Sequence, residues 1–194
     1  MPVTADDLDA ATASVARALG PVASRTWDDA PGTGTWDAWH TAEHLGDTLV
    51  SFAAQLVARP ASRFVRFMAV ADEDATADGV LEMAITGSGL LAAVLRTSGP
   101  DVRAFHPSGV ADAEGFAGMG CVEVLVHGED VARGLGVEVD PPPDVCARVL
   151  ARMFPHVAHE VRDVDPWDAL RWATHRLELA GLPSQADWQW RAAP

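Results

Sequence analysis

The sequence contains no lysine, no tyrosine and no asparagine, and isoleucine occurs once, as Ile85. The missing lysine excludes Schiff-base chemistry and a phosphate-binding P-loop, and the missing tyrosine removes one common general acid. Positive charge is scarce in total: all 14 basic residues are arginine, set against 28 acidic ones, for a net charge of −14. Such a surface argues against nucleic acid and against anionic membranes, because both demand clustered positive charge. Cysteine occurs twice, as Cys121 and Cys146. The opening Met1-Pro-Val-Thr-Ala-Asp-Asp is acidic, unlike a secretory leader. No apolar run reaches the roughly 18–20 residues of a membrane span. The expectation is a cytoplasmic chain with reduced thiols and no membrane partner.

What is present is a hydrophobic content of 48% over 194 residues, enough for one domain with a real core. Apolar periodicity predicts a first helix over 4–19, where Thr4 with Asp7 is a variant capping box, closed by Gly20-Pro21. A second helix is expected from Trp36 to about Ala58, capped by Thr35. Residues 61–71 fit a short helix or a strand equally. A third helix is expected from Asp72 to Arg96, weakened by Gly87 and Gly89 at about 1 kcal/mol each, so that a kink is possible there. A fourth runs from about Ala111 to Leu135. A fifth follows the prolines 141–143, and a sixth runs from Pro166 to about Leu179. The alternating tail 187–191 suits a short strand or an extended arm. The architecture this predicts is all-α, a four-helix bundle with two extra helices.

The chain is organised around Cys121 to Gly136. Glu123 and His127 lie one helical turn apart, on one face, among Val122, Val124, Leu125, Val126 and Val131. A carboxylate and an imidazole are costly to bury there without a partner, and a divalent cation suits both. A third ligand must come from elsewhere, and His44 in Trp36-Asp-Ala-Trp-His-Thr-Ala-Glu-His44-Leu-Gly-Asp is the best candidate. Bundles place such sites between facing helices. The alternatives are a surface pair or a hydrogen-bonded core histidine.

Other motifs compete. His40-Thr-Ala-Glu43-His44 matches the H-x-x-E-H peptidase pattern, in which both histidines bind zinc and the glutamate is the base. A zinc hydrolase would take Glu43 or Glu129 as that base. His156 and His159 fit a helix C-terminus, His106 and His175 are isolated, and Cys121 suits a buried thiol better than a nucleophile. Gly118-Met-Gly120 is no dinucleotide fingerprint. Trp167, Trp172, Trp188 and Trp190 fit packing.

Trp36 to Asp47 and Glu123-Val-Leu-Val-His127-Gly-Glu-Asp130 resemble the second- and fourth-helix segments of the mycothiol-dependent maleylpyruvate isomerase N-terminal domain family, within the DinB-like superfamily. The run Asp140-Pro-Pro-Pro-Asp and the ending Pro166-Trp-Asp-Ala-Leu…Trp188-Gln-Trp190 resemble it too. The resemblance implies a single DinB-like bundle over 1–194 with additional C-terminal helices and a short extended tail. It implies a divalent metal, usually zinc, on His44, Glu123 and His127, and mycothiol as co-substrate in isomerisation or S-transfer on a small electrophile. The chain shows no second α/β domain after the bundle, which the full isomerase carries. Asp130 and His40 are candidate supports of the ligands, and Arg96 and Arg133 candidate holders of an anionic substrate. A monomer or homodimer is expected, and the rival reading is a non-catalytic metal-binding module.

Overall fold

Residues 1–193 of the computed structural model form six α-helices and two short 3₁₀ turns, with no strand among the described residues. The helices are α1 (Ala5–Leu19), α2 (Ala38–Ala58), α3 (Ala77–Thr97), α4 (Ala113–Leu135), α5 (Pro143–Met153) and α6 (Pro166–Ala173). Capping chemistry fixes most of their starts. Asp7 Oδ2 accepts from the Thr4 N–H at 2.8 Å, and Asp112 Oδ1 accepts from Gly115 N–H at 2.8 Å. Pro143 and Pro166 sit where a missing N–H costs nothing.

Residue pairings give the helix directions. Val3 meets Glu114 and Val15 meets Gly128, so α1 and α4 run parallel. Trp39 bonds to Ala75 and Gly46 packs on Ala84, so α2 and α3 also run parallel, which requires the long crossover 59–76. His44 meets His127 and Phe52 meets Phe116, so the two pairs are antiparallel to each other. The core lies between these four helices, around Leu8, Leu49, Phe52, Leu91, Phe116, Met119 and Leu125. Helix α5 closes one end of α4 through Met153 on Gly118, and α6 lies along the other through Arg171 and Glu129.

Several expectations need correction. Helix α2 begins two residues late because Asp37, not Thr35, takes the cap, leaving Trp36 46% exposed. Helix α3 begins at Ala77 after the N-cap Thr76, so 72–76 belong to the crossover. It runs without interruption through Gly87, where a Cβ would stand 2.8 Å from the Gly46 carbonyl oxygen; the glycine permits the close approach of α2. Segment 61–71 is neither helix nor strand. Its amides are spent on α2 side chains: Val65 N–H on Gln55, Ala69 on Asp47 and Ala71 on Glu43, at 2.7–3.0 Å. Helix α6 stops at Ala173, because His175 adopts a left-handed φ of 59°. The tail is an extended arm over the bundle, pinned by Arg191 N–H on Met153 O and by Arg152 on the Arg191 carbonyl, both 2.8 Å.

Against the expectation that no segment reaches the length of a membrane span, helix α3 is long and apolar enough to cross one by length and composition. Its buried stripe of Val80, Ala84, Gly87, Leu91 and Leu95 and its exposed Asp78, Glu82 and Arg96 are those of an amphipathic core helix.

Candidate metal centre

The antiparallel crossing of α2 and α4 brings His44 opposite Glu123 and His127. One donor atom from each of the three lies within 4.8 Å of the others. His127 Nε2 and Glu123 Oε2 are 3.1 Å apart, close to the edge of a zinc tetrahedron, about 3.4 Å for ligands at 2.0–2.2 Å. The His44 and His127 rings meet edge-on, with centroids 5.1 Å apart. The Trp36 ring stands at 4.9 Å from His44 and walls the site on its outer side.

The electrostatics are those of an incomplete cluster. Glu123 is only 9% exposed, and its Oε2 is buried without a hydrogen bond, since the His127 N–H is poorly aligned to it. Burial alone would raise the Glu123 pKa, but the neighbouring imidazoles outweigh it and hold the carboxyl below its ordinary range. Burial would likewise lower His127, yet Asp130 and Glu123 hold it up to about 9. His44 is lowered, by burial first and then by the His127 charge, so its lone pair is free. Two imidazole nitrogens and a carboxylate oxygen are donors that a divalent cation takes in three-ligand sites. The residues therefore fit a divalent ion.

Behind His127 stands Asp130, whose Oδ2 lies 3.5 Å from Nδ1, an ion-pair contact that leaves Nδ1 without a hydrogen bond. Asp130 is 2% exposed and is held by Arg176 Nη2 at 2.8 Å and Arg133 Nη2 at 3.0 Å. Burial opposes its charge, but His127 and Arg176 prevail and keep its carboxyl far below the usual range. Arg176 also donates to Thr33 Oγ1 at 3.2 Å, tying this support to the loop before α2. Sequence reasoning missed Arg176, which reaches the site only because α6 ends in the left-handed His175.

Other candidates are placed elsewhere. His40 is exposed and bonds to its own helix cap, Asp37, at 2.8 Å, which draws the ring away from His44. Glu43 accepts from Ala71 N–H and Glu129 pairs with Arg171, so neither proposed hydrolytic base is free. Arg96 is exposed and bonds to Asp6 (2.7 Å) and Asp9 on α1. Arg133 is committed to Asp130. Burial pushes the Cys121 thiol far up and Cys146 to about 12, so both are inert thiols. His156 and His159 are exposed.

A cavity of about 200 Å³ opens on the far side of Glu123, lined by Asp47, Thr48, Ser51, Phe52, Phe64, His106 and Pro107. His106, isolated in the sequence, is buried against it. The signal that could have found it is the turn it opens: Pro107 and Gly109 follow it, and Gly109 N–H bonds to the His106 carbonyl at 2.9 Å. No family model, curated protein or solved structure matches the chain.

Proposed function

We propose that the chain is a DinB-like, metal-dependent enzyme that uses a low-molecular-weight thiol, mycothiol, as co-substrate and acts on a small electrophile by isomerisation or S-transfer. The observation that carries this reading is the convergence of His44 with Glu123 and His127, with a buried Glu123 oxygen left unbonded. The motif resemblance around His44 and His127 supplies the thiol. A divalent cation on these three residues supplies Lewis acidity that holds a thiol as thiolate at neutral pH.

The chain's own residues do the rest. Asp130, fixed by Arg176 and Arg133, stands 3.5 Å from His127 Nδ1 and would orient the ring through its charge. Trp36 covers the outer face of His44. In isomerisation the sulfur bonds to one alkene carbon, the remaining single bond rotates, and the C–S bond breaks to return the thiolate. In transfer the C–S bond forms as a leaving group departs with its electron pair. The hydrolytic reading loses support because Glu43 and Glu129 are both engaged.

The test incubates zinc-loaded protein with mycothiol and either maleylpyruvate or a haloalkane, following isomer or thioether by mass spectrometry. Thiol-dependent turnover that disappears in His127→Ala is expected. A metal-loaded protein that forms neither product leaves a non-catalytic metal-binding module.

A further inference from the structure

We propose that the cavity beside Glu123 receives an uncharged polar group of the ligand (a carbonyl, amide or hydroxyl), and that His106 donates the hydrogen bond that recognises it. This rests on the reading of His44, Glu123 and His127 as a thiol-binding metal centre, since Glu123 belongs to both the triad and the cavity wall.

The donor is defined by the turn that carries it. Ser108 N–H donates to His106 Nδ1 at 3.0 Å, so in the neutral ring the proton sits on Nε2. No group among the described residues bonds to Nε2. The ring is held edge-on by Phe52 (5.7 Å) and Phe64 (6.0 Å) and backed by Trp190 at 5.8 Å. Gln55 Nε2 fixes the preceding carbonyl, that of Phe105, at 2.7 Å. Burial keeps the ring below its ordinary pKa, against the pull of Glu123, so His106 is an uncharged donor at neutral pH.

The charge of the walls sets the class of ligand. Two carboxylates, Asp47 and Glu123, line the cavity, and no arginine does. Arg96 is held on α1, and Arg133 and Arg176 on Asp130. With the ion on Glu123 and its remaining charge met by the thiolate, Asp47 is the charge left in the wall, and a ligand carboxylate would lose its water beside it with no cationic side chain lining the cavity. A neutral amide or hydroxyl meets the His106 N–H together with the hydroxyls of Thr48 and Ser51. The volume equals that of roughly six or seven waters at about 30 Å³ each, room for one small functional group.

The experiment loads the full chain with cobalt(II) and titrates it with two thiols at matched thiolate concentration, N-acetylcysteamine (a neutral amide) and 3-mercaptopropionate (a carboxylate), following the thiolate-to-cobalt charge-transfer band. The amide probe should bind about tenfold tighter. His106→Phe keeps the ring packing and removes the N–H, and should weaken the amide probe about five- to tenfold while moving the carboxylate probe less than twofold. Equal or tighter binding of 3-mercaptopropionate by the parent overturns the proposal without any variant, as does an unchanged amide affinity in folded His106→Phe. Failure to take up cobalt overturns the metal reading, and this inference with it.

Discussion

Two buried carboxylates in this bundle have opposite surroundings. Asp7, at the start of α1, is 5% exposed and fully partnered: it accepts from the Thr4 amide and hydroxyl and from both Nε and Nη2 of Arg148 on α5. Glu123, midway along α4, is 9% exposed, yet one of its oxygens is buried without a bond. A protein that satisfies one buried carboxylate this thoroughly gains nothing structural by leaving another open. The first joins α1 to α5, and the second faces two imidazoles with which it could hold a cation. His127, His44 and the cavity beside Glu123 belong to that second region.

The comparison breaks first at Arg148. Arg148→Ala removes two charge-assisted bonds to Asp7 but leaves its Thr4 partners, and should cost about 2–3 kcal/mol in urea unfolding; a cost below about 1 kcal/mol would deny the pair its structural role. Next comes Arg176→Ala, which releases Asp130 and with it His127. Competition with a chelator should show metal affinity reduced roughly 10- to 100-fold, and an unchanged affinity would remove Arg176 from the site. Acid should separate the two regions further. Burial raises Asp7, but Arg148 and Thr4 prevail, so its folded pKa lies below the unfolded one. Its contribution is therefore present above the unfolded carboxylate pKa and is lost as pH falls through the lowered folded value. Stability measured downward from pH 5 should decline less steeply in Arg148→Ala than in the parent. The smallest effect is expected from Glu123→Gln without metal: a loss of about 1 kcal/mol, because the ion pair with His127 goes while His127 keeps the charge of Asp130. A loss as large as that of Arg148→Ala would make Glu123 a structural residue like Asp7.

The contrast also separates what was legible in the sequence from what was not. The course of α1, α4 and α5 follows from local chemistry, with Thr4 and Asp7 at one cap, Gly136 at another and prolines at a third. Glu123 and His127 are readable because one turn of helix brings them together whatever the rest of the fold does. The ends that failed depend on distant partners. Helix α6 stops at Ala173 because Arg176 turns back to Asp130, and 61–71 stays irregular because Glu43, Asp47 and Gln55 take its amides. Arg176 and His106 arrive on loops, where no periodicity announces a direction. Arg96 and the His40 of the H-x-x-E-H pattern are candidates by type and spacing, and the nearer charges of Asp6, Asp9 and Asp37 claim them.

Metal content tests the central claim most directly. Elemental analysis of tag-free protein, purified without added metal, should find close to one divalent ion per chain in the parent and little in His44→Ala, Glu123→Ala and His127→Ala. A parent that holds no metal even after incubation with zinc, or variants that all retain it, would contradict the account.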